Sequence, residues 1–335
     1  MFDVNNNEYR LVIAPNGGEA VDASELILEA QWGGRIGSPT RTFEATVIDY
    51  DEEGYERIDI DPERGDQCIL CCITEEKETI ELFRGMIMTK SHSSDRTMSF
   101  KAYDLGIYLS NNKDTFCYSN KTASDIFNDV CGRFGIPTGT VDSTSYTIPE
   151  MASAKTTGWD AIADALEQTY ENTGVRYAVV AQEGKLNLLE RRKNLLQYLL
   201  EPNKNMSEYE FECSIEKIRT RVKAYDKEDT VVAEAVDSAL EAKIGMFQDV
   251  ETADDEMTQA QVQAKVETSL NEVNKPDKTF NVTTLGAPDV VAGVGVFIRI
   301  EELDIEQSYY VDEDTHTLSD SHHMMDLSLV MTQDV

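Results

Sequence analysis

The sequence of 335 residues has no run approaching the ~18–20 apolar residues of a membrane-spanning helix. Its opening, Met1-Phe2-Asp3-Val4-Asn5-Asn6-Asn7-Glu8-Tyr9-Arg10, lacks the basic-then-apolar pattern of a secretion signal. Both absences predict a soluble chain made in the cytoplasm and not exported by the usual route. In such a chain Asn-x-Ser/Thr triplets, Asn281-Val282-Thr283 among them, carry no glycosylation meaning. Positive charge is scarce as well: 30 Lys and Arg stand against 63 Asp and Glu, a formal net charge of −33. A field of that sign repels DNA, RNA and anionic lipid, which excludes stable nucleic-acid binding. The acids lie within periodic segments rather than in a tail, so they belong to a folded surface and not to a disordered one.

Catalytic signatures are missing too. There is no H-E-x-x-H, no G-x-S-x-G, no phosphate loop and no dinucleotide glycine pattern. With so many carboxylates some pair must lie close together, and closeness alone does not indicate a glycosidase. No catalytic, cofactor-binding or metal-binding residue is assigned, and the chain is expected not to be an enzyme. Six cysteines (Cys68, Cys71, Cys72, Cys117, Cys131 and Cys213) in a chain without a signal suggest reduced thiols. Cys68-Ile69-Leu70-Cys71 spells C-x-x-C, but no second Cys or His pair has the spacing that zinc requires. The segment also has the look of a strand rather than a helix start, so buried thiols in a strand apolar on both faces are expected.

What is present is an internal echo. Residues 82–100 run LFRGMIMTKSHSSDRTMSF, and residues 308–329 run SYYVDEDTHTLSDSHHMMDLSL. Each is a strand, then Ser91-His92-Ser93 or Thr315-His316-Thr317, then a Ser-Asp turn (Ser94-Asp95, Ser319-Asp320) and a second strand. Each follows a Gly-led strand, Gly65–Thr74 or Gly293–Ile300. Two copies of one β unit per chain would let three chains present six similar edges.

Texture divides the rest. Residues 1–110 are expected to be β throughout, with strands at Arg10–Ala14, Glu25–Trp32, Thr42–Ile48, Gln67–Thr74, Thr79–Thr89 and Thr97–Tyr103, separated by Gly, Pro and Ser clusters. Residues 111–206 change character. Thr122-x-x-Asp125 and Thr157-x-x-Asp160 are capping boxes opening helical stripes that Gly135 and Gly174 stop, and Glu183-Gly184 joins two strands as a tight hairpin. From 207 to 335 β returns, interrupted by one helix over about 254–273 with a thin apolar face of Met257, Ala260, Ala264 and Val273. The expected fold class is α+β, mainly β: two tube-like antiparallel barrel or sandwich domains flanking a small α+β domain.

Several constellations have a bland reading beside the chemical one. Asp49-x-Asp51-x-Glu53-Gly54 begins like a calcium loop, but the twelfth position is Ile60 instead of a bidentate Glu, so a solvated acidic loop is expected. His316, His322 and His323, with Asp314 or Asp326, form a metal site on paper; residues flanking a hairpin turn are near one another by default, and the first copy has only His92. Arg64-Gly65-Asp66 reads as a turn entering a strand. Trp32-Gly33-Gly34-Arg35 followed by Pro39-Thr40-Arg41-Thr42-Phe43 places two arginines at a bend in an acidic chain. Two readings stand for them: a salt bridge that holds a local strand corner, or a contact to a neighbouring subunit.

That same block resembles the XkdQ/YqbQ-type hub proteins of contractile phage tails and phage-tail-like bacteriocins: Trp32, Gly34, Ile36, Pro39, Arg41 and Phe43. So do Glu81–Ile87, Ala102–Leu109, Thr122–Pro137 (Thr122, Ala123, Ile126, Val130, Cys131, Phe134-Gly135-Ile136-Pro137), Val222–Lys227 and Tyr309–Thr317. The pieces occur in order along nearly the whole chain. The resemblance implies a structural baseplate hub without catalytic residues. It implies a homotrimer whose two tube-like domains per subunit form a pseudo-sixfold ring, seating a hexameric tail tube protein on one side and a trimeric central spike protein on the other. Baseplate wedge proteins and a LysM-containing tail protein are the implied neighbours. Assembly in the bacterial cytoplasm and residence in a virion or bacteriocin particle follow. Cys68, Cys71 and Cys72 depart from the usual first long strand, and the acidity is high. The alternatives are a cell-wall or carbohydrate-binding, or hydrolytic, tail-associated β protein, and a spike-bearing effector carrier. The carrier would need a β-prism after the second barrel, for which the sequence to Val335 is expected to have no room.

Overall fold

The computed structural model describes residues 7–15, 17–50, 62–193, 195–253, 257–320 and 322–331. Strands take 53% of the described residues and helices 21%, so the fold is α+β and mainly β, as expected. The calcium-loop-like stretch from Asp51 to Ile60 lies outside the described residues, as do residues 254–256 at the expected start of the late helix.

The first segment runs β1 (Glu8–Ala14), β2 (Val21–Asp22), β3 (Ile27–Arg35), β4 (Thr42–Ile48), β5 (Gln67–Ile73), β6 (Thr79–His92) and β7 (Thr97–Tyr103). Alternate residues point inward along these strands, which is the period-2 pattern that made them legible. Tyr9, Leu11 and Ile13 of β1, Phe43, Ala45 and Val47 of β4, and Met98, Phe100 and Ala102 of β7 share one core with Trp32 and Leu318. The cysteines of β5 follow the same rule: Cys68 and Cys72 are buried while Cys71 is on the opposite face. A strand therefore separates the two thiols of the C-x-x-C, and burial pushes the Cys68 thiol up to about 12.

Next come α1 (Gly106–Asn111), β8 (Lys113–Thr122), α2 (Ala123–Arg133), β9 (Thr138–Val141), β10 (Thr147–Thr157), α3 (Gly158–Thr173), β11 (Tyr177–Gln182) and β12 (Lys185–Glu190). Both expected capping boxes form, Thr122 with Asp125 and Thr157 with Asp160. Gly174 closes α3 in the left-handed region at φ 66°. Glu183 and Gly184, both at positive φ, make the tight β11–β12 turn. The β8–β10 ribbon carries no apolar alternation, which is why it escaped the sequence pattern.

The chain continues through β13 (Leu195–Leu200), β14 (Met206–Ser214), β15 (Arg221–Tyr225), β16 (Val231–Val236), α4 (Ser238–Ile244), β17 (Gln248–Thr252), α5 (Gln259–Val273), β18 (Asp277–Leu285), β19 (Gly295–Ile300), β20 (Ile305–Ser319) and β21 (His322–Met331). Two compact units result: residues 1–209 with 281–335, and residues 210–280. The expected boundaries at 110/111 and 206/207 both fall within the first. In the second unit α5 packs on β15 and β16 through Val262, Val266 and Leu270. That corrects the expected face. The Thr258–Gln261 capping box starts the helix later and sets a phase that leaves Met257, Ala260 and Ala264 exposed.

Thirteen strands form one sheet among the described residues, in the order β14-β18-β21-β20-β3-β4-β7-β6-β5-β1-β2, with β19 pairing both β20 and β13. Within it the echoed segments fold alike. The antiparallel meanders β5–β6–β7 and β19–β20–β21 each have a long middle strand. Met88 is an extra residue in β6 between the pairs Ile87–Ala102 and Thr89–Lys101. Asp312 is the extra residue in β20 between Val311–Leu329 and Glu313–Ser328. Each bulge thus sits four residues before the histidine of its Ser/Thr-His-Ser/Thr triplet. A bulge fixes register and local twist, so this shared position is stronger evidence of one repeated unit than strand count alone.

Candidate functional site

The two meanders are not separate bodies, because β3 lies between them. Its Ala30, Gln31, Trp32 and Gly33 pair with Leu318, Thr317, His316 and Thr315 of β20, while its other edge pairs with β4. Gly33 is needed here: a Cβ on it would overlap the Asp314 carbonyl oxygen. Gly34 gives room in the same way to the Arg41 side chain, whose Cγ lies 2.7 Å from where a Cβ would stand.

Arg41, the residue before β4, reaches across this seam. Its two terminal nitrogens donate to Asp314 Oδ1 at 2.8 Å and Oδ2 at 2.6 Å, a bidentate pair between residues 273 positions apart. Asp314 is wholly buried, and its Oδ1 also accepts from the Ala292 N–H at 2.6 Å. Burial pushes the Asp314 pKa upward, but the Arg41 charge and the hydrogen bonds outweigh it and hold the carboxyl well below the usual range. Of the two sequence readings for the arginines, Arg41 takes the intrachain salt bridge, and it spans the two ends of the chain rather than a local corner. Arg35 is exposed.

Behind the ion pair lies a buried chain of side chains. The Trp32 indole stacks on the His316 ring, centroids 5.1 Å apart and planes 6° from parallel. His316 Nε2 lies 2.8 Å from the Val290 carbonyl oxygen, which accepts, so this nitrogen carries a proton. In the neutral ring Nδ1 is then the acceptor for His323 Nε2–H at 2.9 Å. His323 Nδ1 in turn accepts from the Tyr9 hydroxyl at 2.7 Å. For neutral rings, one consistent set of tautomers follows from the carbonyl at one end. Gly286 makes the space for this chain, since a Cβ there would stand inside the His323 ring.

The sequence-predicted residues divide accordingly. His316 and His323 meet as diagonal neighbours across the β20–β21 hairpin, with Asp314 nearby, but their nitrogens are hydrogen-bonded to each other instead of converging on a vacant point. His322 faces outward, its Nδ1 2.8 Å from the Asp320 carbonyl. Asp326 accepts from the Thr283 hydroxyl. In the first meander His92 lies 2.8 Å from Asp49. No group of three or more His, Cys, Asp or Glu suited to a metal occurs among the described residues. Sequence reasoning missed Tyr9, Val290 and Gly286, because only the register of β1 and the 286–294 loop brings them to the hairpin. What the arrangement does is fasten the first strands to the last ones.

The ion pair fixes a sign for acid sensitivity. A carboxyl whose folded pKa is depressed contributes stability above its unfolded pKa of about 3.9 and loses it as pH falls toward the folded value. Wild-type melting temperature is therefore expected to fall more steeply with acidification below about pH 4 than that of Asp314→Asn, which has no such proton to bind. Parallel pH profiles of the two proteins would contradict this.

The YQBQ-like family model matches residues 30–330, nearly the whole chain and both meanders. The chain belongs to the YQBQ-like family. It is 34% identical over 254 residues to the phage-like element PBSX protein XkdQ of Bacillus subtilis strain 168, covering 75% of this chain and 78% of that protein. Its fold is that of solved phage tail proteins. The 43 kDa tail protein of prophage MuSo2 from Shewanella oneidensis superposes with a TM-score of 0.72 at 14% identity, covering 96% of this chain and 97% of that one. A tail protein from Neisseria meningitidis MC58 gives 0.68 at 15% identity, with 96% of each chain covered.

Proposed function

We propose that this chain is a structural baseplate hub of a contractile tail particle. Three copies form a pseudo-sixfold ring that adapts a hexameric tail tube to a trimeric spike. The observation that carries this reading is the repeated bulged meander: one chain holds two, so three chains hold six quasi-equivalent units. Family membership and the tail-protein fold support the tail role. The buried Arg41–Asp314 pair and the Trp32–His316 stack support the rest, since two units must keep one fixed spacing if six are to lie evenly around a ring.

In this reading residues 1–110 and 207–335 supply the tube-like parts and residues 111–206 the insert. Unpaired sheet edges are satisfied by neighbouring copies. The partners are the tail tube protein, a central spike protein, wedge proteins and a LysM-containing tail protein. The hub is assembled in the bacterial cytoplasm and carried in the finished particle. Its role is non-enzymatic, and the net charge of −33 gives its surfaces a non-sticky character toward passing nucleic acid. Electron microscopy of the purified particle is the test. The expected result is three copies of this chain around the axis, each contributing both meanders to one ring. Six copies, or a ring built from one meander per copy, would overturn the reading.

A further inference from the structure

Asp104 follows β7 and is only 3% exposed. Its Oδ1 accepts from the Gly106 N–H at 2.9 Å, but Oδ2 is buried without a hydrogen-bond partner. The residue lines a cavity of about 20 Å³, together with Arg41, Glu81, Arg84 and the Gln182–Gly184 turn between β11 and β12. A water needs roughly 10–15 Å³ of such space, so this partly open cavity has room for one.

Two arginines reach this cavity, and both are engaged elsewhere. Arg41 is held by Asp314 at 2.6 and 2.8 Å, and Arg84 by Glu81 at 2.6 and 3.0 Å. The charged and titratable groups facing Asp104 are Arg41 just before β4 with Asp314 of β20 behind it, Glu81 and Arg84 on β6 with Cys71 of β5 against them, and Glu183 in the turn. Their three carboxylates already outnumber their two guanidiniums. An ionised Asp104 would add a buried negative charge offset only by an Arg41 charge already bound to Asp314, a state that favours the neutral acid.

We propose that Asp104 is a proton-binding site: as a carboxylic acid it donates from Oδ2 to a water in this cavity, and that water ties the β11–β12 turn to the sheet. Burial, opposed in part by the backbone N–H groups of Arg41 and Gly106 and by the Arg41 charge, pushes the Asp104 pKa up to about 7. The sign is opposite to that of Asp314. A carboxyl with a raised folded pKa favours the folded arrangement below its unfolded value and loses that contribution as pH rises through the folded one. Above neutrality Oδ2 has no proton to donate, and the tie loosens.

Hydrogen exchange at Ala181–Lys185, corrected for the intrinsic pH dependence of exchange, tests this between about pH 6 and pH 8. Protection of the turn is expected to fall about tenfold across that range in the wild type and to stay constant in Asp104→Asn, which keeps a donor at every pH. A turn whose protection ignores pH in the wild type, or falls equally in the variant, overturns the proposal. Should the variant fold poorly, carbon NMR of aspartate-labelled wild type at about pH 6 decides independently. One protonated aspartate carboxyl supports the proposal, and full ionisation of every aspartate removes it.

Discussion

Arg41→Ala is expected to destabilise the protein by about 3–5 kcal/mol, the range for removing one partner of a buried ion pair. The loss comes less from the missing attraction than from what remains: Asp314, wholly buried beside the Ala292 N–H and the His316 ring, would have to hold a charge without its guanidinium or take up a proton. Urea unfolding followed by tryptophan fluorescence is the measurement, with Trp32 reporting directly on the seam through its stack on His316. A lower midpoint at unchanged slope marks lost stability rather than a changed unfolded state. Arg35→Ala, at an exposed position on the same strand corner, is the control and should lie within about 0.5 kcal/mol of wild type. Equal effects of the two changes would mean that the bidentate pair does not hold the seam.

Much of this architecture was legible in the sequence because alternation and capping are local. Thr42–Ile48 and Thr97–Tyr103 are strands with the expected limits, and Thr157 and Gly174 bound α3 as their chemistry dictates. The echo of residues 82–100 in residues 308–329 was visible as words, and the structure adds the shared bulge that spelling does not encode. The β8–β10 ribbon and β17 were not legible, since the ribbon's buried Phe116, Ile148 and Met151 are few and irregularly spaced and β17 buries no side chain, so neither gives a period. Nor was the meaning of His316 and His323. A histidine pair beside an aspartate reads equally as a metal site or a buried hydrogen-bond chain. The deciding residues, Tyr9 and Val290, lie 314 and 26 positions from their partners in that chain. Arg41 was correctly singled out as a cation needing an acid, but nothing local distinguishes Asp314 from the 62 other acids.

Gly33→Ala is expected to cost at least about 3 kcal/mol, the upper end for overpacking, although it adds a single methyl group. The methyl would overlap the Asp314 carbonyl oxygen and stand 3.1 Å from the Thr315 Cα. Both are backbone, so no side-chain rotamer relieves the clash and β20 itself must withdraw from β3. Withdrawal carries Asp314 away from Arg41 and His316 away from Trp32. The change should therefore be non-additive with Arg41→Ala: the double variant should lose clearly less than the sum, because the first substitution has already separated the groups that the second removes. Gly37→Ala serves as the control, since a Cβ there meets nothing within 4 Å. Equilibrium unfolding of the four proteins completes the cycle, and strict additivity would show that the β3–β20 pairing and the ion pair act independently. If they act as one unit, the spacing of the two meanders is set by backbone contact at Gly33 and locked by the charge pair beside it. Particle assembly should then fail in Gly33→Ala at temperatures where the isolated subunit is still folded.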